Sequence, residues 1–383
     1  MPALLCALGA LAPVLAQDPS CHECGGDGRI DCSKHGKSWL EKEHAVRFCS
    51  VAGACKACGG ALEVACKQCR SADVESALQA RRQLVAAWRD NLRTTVDDLA
   101  KGEPMQHLCT EHYDLSFGIE KLTVGRDKLD THAAMHLYGE RLEALRALVV
   151  QTLALEDKDF SSRLRVFVCR DQLQSSNLAP HVTGIGGLQA VGTKLMGVET
   201  VYCMWQNPRA LLDDEALHRN LVHCTTHLII SNMARCGEFG KPGNGWVAEG
   251  LASWFEDKIC GKCTNYCFEE VLTQNNATFK SGRWRVPVRK MADEGKLASL
   301  AALAGKNYDQ LDFPIEHMQS FAMVDYLLTV HGGTKMRDFL RLLKGKQAMR
   351  DAMQSVYGCN PLTFDTQFDT WVKATYPLQD VPR

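Results

Sequence analysis

Residues 223 to 227 read His-Cys-Thr-Thr-His, and Glu249 follows 22 positions after the second histidine, inside the segment Trp246-Val-Ala-Glu-Gly-Leu-Ala-Ser-Trp254. Histidines at i and i+4 stand one turn apart on one helix face, so both imidazoles reach a single ion. A carboxylate from a second helix, opening after the turn Gly243-Asn244-Gly245, supplies a third ligand. Three ligands leave one coordination position open, as in catalytic rather than structural zinc sites. The spacing alone is weak, because His132 and His136 repeat it; those two are expected to lie on a helix surface. The wheel adds information. Leu217, Leu221 and Leu228 gather on one face, and His223 and His227 lie roughly 100° away.

In the H-E-x-x-H motif the residue after the first histidine is a glutamate that takes a proton from the attacking water. Here that residue is Cys224. The stretch from Leu217 to Leu228, the segment Trp246 to Phe255, and Gln319-Ser-Phe-Ala-Met-Val-Asp-Tyr-Leu-Leu with His331-Gly-Gly333 and Met336-Arg-Asp-Phe-Leu340 complete a pattern. Over roughly residues 105 to 380 it resembles the gluzincin metallopeptidases, and within them the peptidase MA-like domains found in exported bacterial proteins. The resemblance implies one zinc ion on His223, His227 and Glu249, in an α+β domain with a small sheet, two zinc helices and a helical C-terminal half.

Three helpers depart from that pattern. Cys224 occupies the general-base position, Ser253 stands where an acidic supporting residue often follows the glutamate ligand by one turn, and His317 falls where a tyrosine often precedes the Gln-Ser pair. A thiol is mostly protonated near neutral pH and shorter than a glutamate, so Cys224 is expected to pack as a small buried hydrophobe. Losing a general base removes about 10² to 10⁴ in rate. Glu199 and Glu238 are the carboxylates that could substitute for it, and His317 or His331 could aid a tetrahedral intermediate.

The chain opens with a different pattern. Cys21-x-x-Cys24 and Cys32-x-x-His35 recur 34 positions later as Cys55-x-x-Cys58 and Cys66-x-x-Cys69, and Gly25-Gly26 recurs as Gly59-Gly60. Each pair presents two ligands to one ion, and eight ligands suffice for two closed tetrahedral zinc sites. The first repeat, Cys-His-Glu-Cys-Gly-Gly-Asp-Gly, resembles the C-x-x-C-x-G-x-G units of DnaJ-type zinc domains; Cys58 is followed by Gly-Gly-Ala instead. Two pairings are open: one ion in each repeat, or one ion shared by the outer pairs and another by the inner pairs. The sites read as structural, in a small ribbon-like module over residues 21 to 70.

Residues 1 to 16 are expected to be a signal peptide, with an apolar run from Leu4 to Leu15 and the small residue Ala16 before Gln17, although no basic residue precedes the run. Export follows from that reading, and no other stretch has the length and lack of charge for a membrane span. Cys260, Cys263 and Cys267 form a third cluster that Cys236 or Cys203 could complete, as a metal site or as disulfides. A net charge of −1 gives no basis for general nucleic-acid or membrane-surface binding, and the basic run Arg283-Trp-Arg285 to Lys290 reads as a solvated edge.

The remaining elements follow from periodicity. A helix over 72 to 101 is expected to link the zinc module to the larger domain. Another helix over about 131 to 155 precedes a strand at Arg163–Cys169, a turn at Gly184–Gly187 and a strand at Thr200–Trp205. The expected function is that of a zinc-binding pseudopeptidase or weak metallopeptidase acting on polypeptide. The alternative is a chaperone-like polypeptide binder of the cell envelope without enzymatic activity.

Overall fold

The computed structural model describes residues 19–102, 104–185, 192–196, 200–207, 211–233, 239–265 and 281–379. The chain is mixed α and β with a helical C-terminal half, and it divides into two compact units, Met1–Glu111 and His112–Arg383. The expected signal segment lies outside the described residues, as do Glu199, Cys236, Glu238 and Cys267. Among the described residues no helix is long and apolar enough to cross a membrane.

In the first unit, strand β1 (Arg29–Asp31) precedes helix α1 (Lys37–His44), strand β2 (Phe48–Cys49), the short helix α2 (Ser50–Gly53) and strand β3 (Glu63–Ala65). Helix α3 (Ala72–Leu92) and strand β4 (Gln106–Cys109), which pairs with β2, follow. The 34-residue repeat explains the central pairing. β1 and β3 are copies of each other and pair antiparallel, Arg29 with Ala65, Ile30 with Val64 and Asp31 with Glu63, so the Ile30–Val64 pair marks the middle of a local two-fold relation. Flanking bonds obey it too: Cys32 N–H donates to Leu62 O and Cys66 N–H to Gly28 O, both at 2.8 Å.

α3 starts at Ser71, whose side chain accepts from Val74 N–H, and its apolar side is spent inside this unit. Val74 and Leu78 pack with Ala61, while Val85 and Trp88 pack with Phe48. The helix is regular to Leu92, and Arg93–Asp97 then forms a π turn. Gly60 has φ +82°, and a Cβ there would sit 2.5 Å from Val85 Cγ1, so only glycine lets the second cysteine turn approach the helix.

The second unit is built on strands β5 (Tyr113–Phe117), β8 (Leu164–Cys169), β10 (Thr200–Trp205) and β9 (Gly192–Leu195), hydrogen-bonded in that order. β5, β8 and β10 run parallel, and β9 is antiparallel to β10 at the edge. Parallel neighbours need crossover helices. These are α4 (Thr131–Leu153) and α5 (Gln172–Thr183), and a hairpin of β6 (Lys121–Val124) and β7 (Asp127–Asp130) precedes α4. Val166, Val168, Tyr202 and Met204 fill the core along the central strands.

Then come α6 (Asp214–Asn232) and α7 (Gly245–Cys260), followed by α8 (Arg285–Asp293), α9 (Leu300–Ala304), α10 (Ile315–Tyr326), α11 (Gly333–Lys344), α12 (Met349–Tyr357) and α13 (Pro361–Thr375). Two expectations need correction. His132 and His136 are not on a helix surface: both are buried, their rings 4.8 Å apart, on a helix that packs against β5, α6 and α11. The basic run is a solvated edge only in part, since Arg283 and Lys290 are exposed. Trp284 is buried, and Arg285 is bound by Asp257 at 3.0 Å and Asp325 at 3.3 Å.

Candidate metal centres

α6 is held at both ends. Asp213 caps its first turn by accepting from Ala216 N–H. Arg141 of α4 grips Asp214 with two nitrogens at 2.5 and 2.9 Å. At the other end, where unsatisfied carbonyls gather partial negative charge, the buried Lys344 ammonium of α11 donates to Ile230 O and, at 3.0 Å, to Ser231 O. α7 opens at Asn244, which adopts φ +61° before Gly245. It crosses α10 closely: a Cβ on Gly250 would lie 2.4 Å from Ser320 O.

These constraints bring the three expected ligands together. His223 Nε2 and His227 Nε2 are 3.4 Å apart, His223 Nε2 is 3.5 Å from Glu249 Oε2, and His227 Nε2 is 3.3 Å from Glu249 Oε1. Ligand atoms bound tetrahedrally at about 2.0–2.1 Å from one ion are about 3.3–3.4 Å apart. The triangle has the size that a metal of this class needs. All three residues are buried, where a carboxylate beside two imidazoles requires charge compensation. Burial opposes the charging of His223, but the Glu249 and Glu256 carboxylates prevail and raise it to about 10. His227 goes the other way, lowered to about 4 by burial and by the charge of Lys194.

Glu256 was not among the residues singled out by sequence. Its Oε2 lies 3.2 Å from His223 Nδ1, and its Oε1 accepts from Thr264 N–H and Asn265 Nδ2, both at 2.8 Å. A carboxylate on the far nitrogen of a ligating histidine sets its tautomer and raises its basicity. The series continues from Asn265 to Asn220 and from Asn220 to the Tyr202 hydroxyl on β10. Ser253 therefore leaves no gap, because the supporting carboxylate comes two turns after Glu249 instead of one. The signal was legible: residues seven apart share a helix face.

Cys224 is buried and stands outside the triangle of ligand atoms. Its neighbour is Lys194 of β9, whose Nζ is 4.0 Å from the sulfur. His317 on α10 is also buried. Desolvation lowers its proton affinity, and it lies within electrostatic reach of Glu249 and His223. His331 goes elsewhere. About 20 Å further along the same helical run, it packs between the rings of Tyr326 and Tyr357.

In the first unit two further groups converge, each with ligand atoms within 4.8 Å of one another: Cys21, Cys24, Cys66 and Cys69, and Cys32, His35, Cys55 and Cys58. Of the two open pairings, this is the arrangement in which repeats share their sites. The antiparallel β1–β3 pair is the cause. Cys24 precedes β1 and Cys66 follows β3, so they meet at one end of the ladder, and Cys32 and Cys58 meet at the other. Cys21 Sγ and Cys66 Sγ are 3.9 Å apart, against about 3.8 Å for two thiolates at 2.3 Å from one tetrahedral ion. His35 Nε2 is 3.4 Å from Cys58 Sγ. Each Cys-x-x-Cys turn closes in the same way, Gly25 N–H donating to Cys21 O and Gly59 N–H to Cys55 O at 2.8 Å. Backbone N–H groups of Cys24 and Glu23 point at Cys21 and lower its thiol to about 7, which favours the ligating form.

Of the third cysteine cluster, Cys267 and its candidate partner Cys236 lie outside the described residues. Cys203 lies on β10 with its sulfur 3.8 Å from Cys169, and Cys263 is buried beside Gly282 O, 3.9 Å away. No protein-family model matches this chain, and no curated protein matches it in sequence.

Proposed function

We propose that this chain is an exported zinc protein whose larger unit is a gluzincin-like scaffold. It binds polypeptide at His223, His227 and Glu249, with hydrolysis weak or absent. The carrying observation is the buried triangle of ligand atoms, 3.3 to 3.5 Å on its edges, with a thiol rather than a carboxylate at position 224. Zinc on these three residues would supply a Lewis acid for a peptide carbonyl. Glu256 holds His223 in the tautomer that leaves Nε2 toward the site, and His317 lines the α10 side. Cys224 lacks the reach and the basicity to accept a proton at neutral pH. The two cysteine-rich groups of the first unit are read as closed structural zinc sites.

Elemental analysis of the purified full chain beside His223→Ala/His227→Ala tests the metal reading. The double variant is expected to lose about one zinc per chain, and an unchanged count defeats it. Cys224→Glu tests the disarmed site. It should raise cleavage of a quenched fluorescent peptide by about 10² to 10⁴, whereas no gain in a zinc-loaded variant sinks the peptidase ancestry of the cleft.

A further inference from the structure

In the first unit the two ligand groups lie at opposite ends of one short ladder, and each group takes two ligands from each repeat. The ladder consists of Arg29–Ala65, Ile30–Val64 and Asp31–Glu63. The bonds that flank it come from ligand residues themselves, Cys66 N–H donating to Gly28 O and Cys32 N–H to Leu62 O at 2.8 Å. The apolar cluster at the first end is also built of ligands: Cys21, Cys66 and Cys69, with Cys24 and Ile30 packed against it. A two-stranded ladder of this kind is marginal on its own. Bound ions would fix the residues at both of its ends.

Sharing makes each ion a clasp between the repeats. An ion on Cys21, Cys24, Cys66 and Cys69 closes a loop that contains every ligand of the other group. An ion on Cys32, His35, Cys55 and Cys58 closes the shorter loop inside it. The chain entropy of bringing the repeats together is lost once, with the first ion. The second ion then finds its two half-sites tethered and aligned, at a raised effective concentration. Direct repulsion between the loaded groups opposes this only weakly, because the bonded segment separates the two ends by roughly 13 Å, beyond a Debye length at physiological salt. One ion inside each repeat would close two separate small loops and give no such linkage.

We infer that the first unit loads its two zinc ions cooperatively, so that it answers free zinc as a switch, open with none and closed with two. The inference rests on the reading of both groups as zinc sites and adds how they respond to the ion.

The test is a binding cycle in the full chain carrying His223→Ala and His227→Ala, which takes the zinc triangle out of the count. Zinc affinity is measured under reducing conditions by competition with a chromophoric chelator. Three chains are compared: that chain, the same chain with Cys21→Ser and Cys66→Ser, and the same chain with Cys32→Ser and Cys58→Ser. The two-ion constant of the first should exceed the product of the two single-site constants by about tenfold or more. A second pair of variants, Cys24→Ser with Cys69→Ser and His35→Ala with Cys55→Ser, should return the same factor. A two-ion constant equal to the product overturns the inference, as does a factor seen with only one pair, which marks local damage. Absence of zinc from the cysteine groups would instead defeat the metal reading, so the two failures are distinguishable.

Discussion

At the scale of single residues, the site depends on groups that touch ligands as much as on the ligands. Glu256 is the sharpest case. Its carboxylate is buried and takes a histidine nitrogen, a backbone N–H and an amide. Glu256→Gln keeps the shape but removes the charge that favours a protonated Nδ1. Metal affinity of the His223 site is expected to fall about 10- to 100-fold, measured by competition with a chromophoric chelator while circular dichroism stays unchanged. An affinity equal to wild type would reduce Glu256 to a packing residue. Ser253→Ala should leave the same measurement unmoved, since the supporting carboxylate comes from position 256.

Elements carry the next set of constraints. α7 is pressed against α10 at Gly250, directly beside the ligand Glu249, and the carbonyl of Ser320 occupies the space that a side chain would need. Gly250→Ala must push the two helices apart, at a cost of about 1–3 kcal/mol. Thermal unfolding should show a lower midpoint, and zinc affinity at the triangle should fall with it; an unaltered melting curve would mean that the crossing is looser than described. In the first unit, the antiparallel alignment of β1 and β3 dictates which cysteines share an ion. Cys21→Ser with Cys66→Ser should therefore lose one metal ion per chain, and Cys21→Ser with Cys32→Ser should lose two. Mass spectrometry under native conditions reads the difference, and the reverse order would assign one ion to each repeat.

For the whole molecule, the two units differ in what holds them. The first has small apolar clusters, such as Phe48 with Val85 and Trp88, around its two cysteine-rich groups. The second has a continuous sheet core with large buried side chains including Tyr202, Phe167, Trp246 and Phe321. Small units without a large core depend on bound metal for folding free energy. A strong chelator should abolish the calorimetric transition of the first unit and leave that of the second in place with a reduced midpoint. One common transition, lost or kept as a whole, would contradict this division.

Much of the chemistry was legible before any coordinates, because it is local. The i, i+4 histidines, the turn into α7, the cysteine repeat at 34 residues and the strands at Leu164–Cys169 and Thr200–Trp205 depend on periodicity and turn-forming residues. Local patterns do not settle how repeats or strands pair. The same eight ligands fit two pairings until β1 lies antiparallel on β3, and Cys203 was free to be assigned to Cys260 and Cys263 until the sheet put it beside Cys169. Burial of His132 and His136 escaped for the same reason, since α4 packs against β5, α6 and α11. Lys194 reaches Cys224 from a strand 30 positions upstream. Sequence alone determined which residues can bind metal; the tertiary structure decided which of them meet and what charge surrounds them, because long-range contacts arise from strand order and helix crossing, not from spacing along the chain.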